Sequence, residues 1–152
     1  MKYLMFSIVL LGTLNTWAHK PVKVQTQEQA VTKYTDQAVT FQPMSVPEKA
    51  KFVKELKHGQ AGSTHLVTFT VKADWGPIMG LIALQEGKVV GLEILLFTEH
   101  EGNGVTRDVF LNQFKGLTSS NLDTKGVKPL PKEPKTSQAL LEAIKFSLKA
   151  NQ

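Results

Sequence analysis

The stretch that decides the fold is THLVTFTVKADWGPIMGLIALQEGKVVGLEILLFT, residues 64–98. It holds three runs rich in β-branched and aromatic residues, separated by turn-forming phrases. The first run, residues 64–75, alternates apolar and polar positions, which predicts a strand with one buried face. Gly87-Lys88 between the next two runs predicts a hairpin. The almost continuous apolar run from Val89 to Phe97 predicts a central strand covered on both faces.

Two segments before this sheet carry helix-like patterns. TQEQAVTKY, residues 26–34, predicts a short helix with Thr26 as N-cap and Gln29 in the capping-box position. FQPMSVPEKAKFVKELKHG, residues 41–59, predicts a longer helix because Ser45 precedes its start and His58-Gly59 ends it with a cation and a glycine.

The segment TRDVFLNQFKG, residues 106–116, returns to helical spacing after the sheet. Thr106 is its predicted N-cap and Gly116 its stop. Its predicted apolar stripe consists of Val109, Phe110 and Phe114.

Residues 117–135 are polar and contain three prolines, which predicts a loop of unusual length. The final segment predicts a helix capped at Thr136 or Ser137, with one apolar face formed by Leu140, Ala143, Ile144 and Leu148. Strands clustered between helical segments predict an α+β domain, with helices packed on an antiparallel sheet.

The first 18 residues resemble a secretory signal peptide, with Lys2, an apolar run over residues 3–14 and small residues before Ala18. An uncleaved anchor is the alternative, but this run is shorter than the roughly 20 residues that span a bilayer. We therefore expect cleavage after Ala18, a periplasmic location and a single domain over residues 19–152.

The chain has no cysteine, which excludes thiolate nucleophiles, iron–sulfur ligation and cysteine-based zinc sites. Its 18 basic and 13 acidic residues give a net charge of +5. The lysines are scattered and do not alternate with aromatic residues, so we expect a solvated surface and no nucleic-acid partner.

The acidic, glycine-containing turn that follows residue 98 precedes a predicted helix whose first turn holds Arg107. Glycines allow close backbone approach, a helix start offers N–H groups, and arginine binds phosphate or carboxylate in bidentate fashion, so the turn could seat an anion. The alternative is a purely structural turn in which Arg107 pairs with Glu99, Glu101 or Asp108. A Glu99–Glu101 acid–base pair is disfavoured because no matching nucleophile is evident.

Two further residues have a functional and a structural interpretation. Trp75, before Gly76-Pro77, could stack on a planar ligand or simply pack half-buried. His19 would be the mature N-terminus, whose amine and imidazole together can chelate copper, or an incidental terminal histidine. The four histidines show no zinc-motif spacing, so no metal site is predicted from them.

The order of short phrases over residues 74–116 is distinctive. These phrases are Gly76-Pro77, Glu86-Gly87-Lys88, Phe97, Glu99, Gly102, Arg107, Phe110, Gln113, Phe114 and Gly116. Together they resemble the FMN-binding domain of exported bacterial electron-transfer proteins. This domain is present in flavin subunits of sodium-translocating NADH:quinone oxidoreductase and Rnf-type complexes, and in nitrous-oxide-reductase regulators.

The resemblance implies the FMN-binding-domain fold and FMN as cofactor, with electron transfer to redox partners in the periplasm or inner membrane rather than stand-alone enzyme activity. Covalent members carry a Ser-Gly-Ala-Thr phrase whose threonine receives FMN, but here Pro134 occupies that position and has no hydroxyl. FMN would therefore be non-covalent, or absent in a degenerate domain that binds a partner protein. The implied FMN-binding residues are Trp75, Glu99, Gly102, Arg107, Thr136 and Ser137.

Overall fold

The computed structural model describes residues 20–98 and 104–151 and confirms the α+β class. Six antiparallel strands form one sheet in the order β1-β6-β5-β4-β3-β2. The strands are β1 Pro21–Lys23, β2 Gln42–Met44, β3 Val53–Ala61, β4 Thr64–Lys72, β5 Pro77–Gln85 and β6 Lys88–Thr98. The α-helices are α1 Gln27–Val31, α2 Asp108–Leu111 and α3 Pro134–Ala150.

The predicted hairpin between the second and third apolar runs is confirmed as β5–β6. Its two-residue turn holds Glu86 at φ 51° and Gly87 at φ 68°, the left-handed pair that a type I′ hairpin turn requires. β6 is covered on both faces as predicted, because Ile94 packs in one core cluster and Leu95 in the other.

The prediction of one buried face for β4 is wrong. Val67, Phe69 and Val71 enter the large core under α3, while Leu66 is fully buried in a second cluster on the opposite face. The second face is covered because α1 packs Ala30 and Val31 there, together with partly buried residues of the 34–41 segment.

The predicted helix over residues 41–59 is wrong, since this segment forms β2, a turn and β3. A β-bulge between Val53 and Glu55 puts Val53 and Leu56 on the same face of the sheet, next to Val71 and Phe69 of β4. Their spacing of three residues therefore imitates a helical stripe. Gly59 lies within β3 and is therefore not a helix stop. Glycine fits there because a Cβ would clash with the Val39 side chain.

The predicted capping box of α1 is confirmed. The Thr26 hydroxyl accepts a hydrogen bond from the Gln29 N–H at 3.1 Å, and the Gln29 side chain accepts one from the Thr26 N–H at 2.8 Å. Two donors at the helix start are thus satisfied by residues three positions apart.

The predicted helix over residues 106–116 is broken into the 3-10 turn Gly104–Thr106, α2 and the 3-10 turn Asn112–Phe114. Arg107, not Thr106, is the N-cap of α2. Phe110 and Phe114 are buried as predicted, but Val109 is 78% exposed. Gly116 ends the segment with φ 82°, which confirms the predicted stop.

The predicted proline-containing loop is confirmed, since residues 117–133 contain turns and isolated bridges but no helix or strand. The predicted cap of the last helix is wrong: α3 begins at Pro134, and Glu133 is the N-cap residue. Proline suits the first helical position because its φ is already helical and its missing N–H would have no helical partner there. The predicted apolar face is confirmed, and all four of its residues are buried.

Candidate functional site

Two adjoining depressions lie at the end of the sheet where β4 and β6 end, β5 begins and α3 starts. The first is a crevice of about 10 Å³, lined among others by Trp75, Thr98, Val105 and Thr136. Trp75 is 38% exposed, so its indole both packs against the protein and offers accessible surface for a ligand. We call this depression the Trp75 crevice.

The second depression, which we call the Arg107 groove, has a volume of about 300 Å³. This volume lies at the lower end of the roughly 300–1,000 Å³ typical of small-molecule pockets. The Arg107 groove is lined by Gly104, Arg107, Val109, Phe110, Leu130, Pro131, Lys132 and Glu133. Glu133 also lines the Trp75 crevice, so the two depressions adjoin at that residue.

The local backbone exposes the two cationic side chains of the Arg107 groove, Arg107 and Lys132. Arg107 is exposed as the N-cap residue of α2, and no carboxylate within the described ranges forms an ion pair with it. Lys132 is exposed in a turn that a hydrogen bond from Glu133 N–H to the Leu130 carbonyl closes at 3.1 Å. Two cations beside an apolar wall suit a ligand with an anionic group and a flat apolar part.

The start of α3 already has an anionic partner. Asp74, in the connection between β4 and β5, accepts hydrogen bonds on Oδ2 from the N–H groups of Lys135 at 2.8 Å and Thr136 at 3.1 Å. Its carboxylate therefore supplies the cap that Glu133 does not supply through its side chain. A phosphate could bind these N–H groups only by displacing Asp74.

Thr136 and Ser137 are buried in the first turn of α3, with exposures of 1% and 3%. The Ser137 Oγ is buried and has no hydrogen-bond partner among the residues described. Thr136 lines the Trp75 crevice, whereas Ser137 lines neither that crevice nor the Arg107 groove.

The structure thus brings Trp75 and Thr136 together in the crevice and puts Arg107 in the adjoining groove. Glu99 and Gly102 lie outside the described residues, as does His19. The ligand-binding roles of all six predicted site residues stay predictions.

Sequence reasoning did not find Asp74 as the cap of α3 or Leu130 as part of the groove wall. One clue to Asp74 was present: a helix that starts with Glu133-Pro134 has a poor N-cap of its own, so its donors need a partner from elsewhere. Nothing in the sequence identifies that partner, because Asp74 is 61 residues from Lys135.

A second polar cluster lies on the α1 face of the sheet. The Glu93 carboxylate accepts hydrogen bonds from Gln25 at 3.1 Å, Lys33 at 2.5 Å and Tyr34 at 2.7 Å. Burial acts to raise the pKa of Glu93, but the bonds from Lys33 and Tyr34 outweigh it and lower that pKa. Burial and the nearby Glu93 carboxylate raise the pKa of Tyr34 above its usual range. These satisfied contacts fasten α1 to β6 and indicate a structural role.

Comparison of the chain with protein-family models, curated proteins and solved structures gives no significant match. The resemblance to the FMN-binding domain therefore stays a prediction. Across residues 20–98 and 104–151, no helix is long and apolar enough to span a membrane. Those same residues contain no group of three or more histidine, aspartate or glutamate side chains arranged to hold a metal ion.

Proposed function

We propose that this chain is an exported electron-transfer protein that binds FMN without a covalent bond in the Arg107 groove. The observation that carries the proposal is the pairing of Arg107 and Lys132 with an apolar wall in one groove. Bound FMN supplies one- and two-electron redox chemistry, while the protein binds and orients it.

The chemistry of the groove fits the two parts of FMN. The Arg107 guanidinium can hold a phosphate through two parallel hydrogen bonds, and Lys132 adds a second positive charge. Val109, which is 78% exposed, and Leu130 provide apolar surface for a flat ring. Trp75 lies across Glu133 in the adjoining crevice and is the aromatic side chain that would stack on the ring.

The start of α3 fits FMN less well than the groove does. Pro134 has no hydroxyl to form a phosphate ester. A phosphate there would also compete with the Asp74 carboxylate for the N–H groups of Lys135 and Thr136. We therefore assign the phosphate to Arg107 and Lys132, not to Thr136 and Ser137.

Calorimetric titration of the mature protein with FMN and, separately, with riboflavin tests this assignment. Arg107→Ala should weaken FMN binding by about 10- to 100-fold, because a hydrogen bond to a charged group is worth roughly 1.5–3 kcal/mol. Riboflavin lacks the phosphate, so its affinity should change little. Equal losses for both ligands would show that Arg107 does not face the phosphate.

Two control variants separate the groove from the start of α3. Lys128→Ala removes the same charge from an exposed residue outside the groove lining and should leave FMN affinity within about twofold. Asp74→Asn removes the carboxylate that competes at the start of α3. Tighter FMN binding by Asp74→Asn would indicate that the phosphate binds at the start of α3 and would overturn the groove assignment.

A second candidate function is a flavin-free domain that binds a partner of a redox complex. It is favoured by the Asp74 carboxylate, which already occupies the N–H groups at the start of α3 where a phosphate could bind. Failure of the refolded protein to bind FMN or riboflavin at millimolar concentration would select this candidate. Copper binding through His19 stays a weaker third prediction.

A further inference from the structure

Two histidines on neighbouring strands form a close pair away from the Arg107 groove. His58 lies on β3 and His65 on β4, and their Nε2 and Nδ1 atoms are 3.0 Å apart. The rings stack with centroids 5.3 Å apart and planes inclined by 23°. Both side chains are half-buried, so solvent reaches them. We call them the His58–His65 pair.

The strand register explains why the pair forms. His58 is opposite Val67 and Gln60 is opposite His65, so the two imidazoles are diagonal neighbours on one face of the antiparallel ladder. Val67 belongs to the core on that face, which places the pair beside the packed interior of the domain. His58 and His65 are seven residues apart, a spacing that matches no metal motif in the sequence. The β3–β4 hairpin is what brings their side chains together.

The two nitrogens share a hydrogen bond in the structure, and turning both rings so that their lone pairs converge allows them to bind one metal ion. Imidazole nitrogens bind zinc at about 2.0–2.1 Å, and similar bonds to a common ion across 3.0 Å subtend an angle of about 90°. That angle corresponds to neighbouring positions in square-planar or octahedral geometry, which Cu²⁺ and Ni²⁺ adopt with nitrogen and oxygen ligands. The narrower-than-tetrahedral angle makes Zn²⁺ a poorer match.

We propose that the His58–His65 pair is a two-imidazole binding site for a divalent late transition metal, with Cu²⁺ bound most tightly. Water completes the coordination. Both rings bind as neutral ligands: the proton in their shared hydrogen bond moves, through solvent, to the other nitrogen of its own ring. Cu²⁺ should bind most tightly because the affinity of a given nitrogen site rises from Mn²⁺ to Cu²⁺ and falls again at Zn²⁺.

Metal binding is measured on the mature chain in which His19 and His100 are both alanine, which leaves the pair as its histidines. Isothermal titration with Cu²⁺ and Ni²⁺ should give one ion per chain. Electron paramagnetic resonance of the Cu²⁺ form should show coupling to two imidazole nitrogens. Absence of stoichiometric binding in this background overturns the proposal, including the case in which only the chain with His19 intact binds copper.

Single substitutions of the pair test whether both rings are ligands. Even residues that only orient a metal ligand change affinity by roughly 10- to 100-fold, so His58→Ala and His65→Ala should each weaken Cu²⁺ binding at least about tenfold. Gln60→Ala is the control, because Gln60 lies on the same face but donates its side-chain hydrogen bond to the Gly62 carbonyl. This variant should keep the Cu²⁺ affinity. Circular dichroism of each variant verifies folding. If an alanine variant unfolds, the glutamine variant at the same position, His58→Gln or His65→Gln, replaces it. Unchanged affinity in folded variants at either position overturns the two-ligand site.

Discussion

Helices α1 and α3 satisfy the backbone N–H groups at their N-termini in different ways. Thr26 and Gln29 cap α1 from within the same four residues. α3 instead relies on Asp74, which is more than 60 residues away in sequence. Both arrangements satisfy backbone donors, but only the first is encoded where the helix begins.

α3 also carries a carboxylate that binds backbone N–H groups at the start of β3. Glu142 accepts hydrogen bonds from the N–H groups of Lys51 at 2.8 Å, Phe52 at 2.7 Å and Val53 at 2.9 Å. The helix is therefore held to β4–β5 at its start and to the beginning of β3 at its middle. The comparison teaches that local sequence satisfies the first donors of α1, whereas those of α3 are satisfied by a carboxylate that only the folded domain brings to them.

The largest expected effect comes from Glu142→Gln, which removes the charge that binds three backbone donors and replaces one of the two accepting oxygens with an NH2 donor. We expect a loss of about 1.5–3 kcal/mol in the free energy of unfolding at pH 7, the range for hydrogen bonds to charged groups. Urea unfolding measures this change. A loss no larger than that of an exposed substitution such as Glu48→Gln would show that the contact does not hold α3 to β3.

The same variant has a signed pH dependence. Burial acts to raise the pKa of Glu142, but the three N–H bonds outweigh it and lower the pKa below its ordinary value. Its contribution is therefore complete above the unfolded pKa of about 4.3 and is lost as the pH falls through the folded pKa. The stability difference between the wild type and Glu142→Gln should shrink as the pH is lowered from 6 to 3. A difference that grows in acid would contradict this assignment.

An intermediate effect is expected for Asp74→Ala, which removes the long-range cap of α3. Loss of an N-cap acceptor costs about 0.5–2 kcal/mol, and we expect the upper half of that range because two donors lose one carboxylate. Urea unfolding with an unchanged m-value measures it. Asp74→Asn keeps an oxygen acceptor and should recover part of the loss. Identical losses in the two variants would mean that the hydrogen bonds to α3 are not the source.

The smallest effect is expected for Thr26→Ala, which breaks the local cap of α1. The expected loss is about 0.5–1 kcal/mol, because Thr26 is not fully buried and water can reach the freed N–H. Thr26→Ser retains the hydroxyl and serves as the control. A loss equal to that of Asp74→Ala would remove the distinction between the two helices.

The errors in the predicted fold follow the same division between local and long-range causes. The hairpin of β5 and β6 and the capping box of α1 depend on neighbouring residues, and both were predicted. β3 was predicted as a helix because its bulge gives Val53 and Leu56 a helical spacing. Only pairing with β4 distinguishes that bulged strand from a helix.

The candidate site divides in the same way. Trp75, Arg107 and Thr136 stood out in the sequence as an aromatic, a cation and a hydroxyl near predicted element ends. Their distribution over the crevice and the groove depends on the turn at residues 130–133 and on the sheet end. The proximity of His58 and His65 likewise depends on strand register.

The sequence by itself determined the α+β class, the central hairpin, the first helix and the apolar face of the last helix. Periodicity, turn residues and local caps carry these features because each involves residues close in the chain. Only the tertiary structure decided that residues 53–61 form a strand, that Asp74 caps α3, and that His58 meets His65. Those contacts arise from strand pairing and packing, which no local pattern specifies.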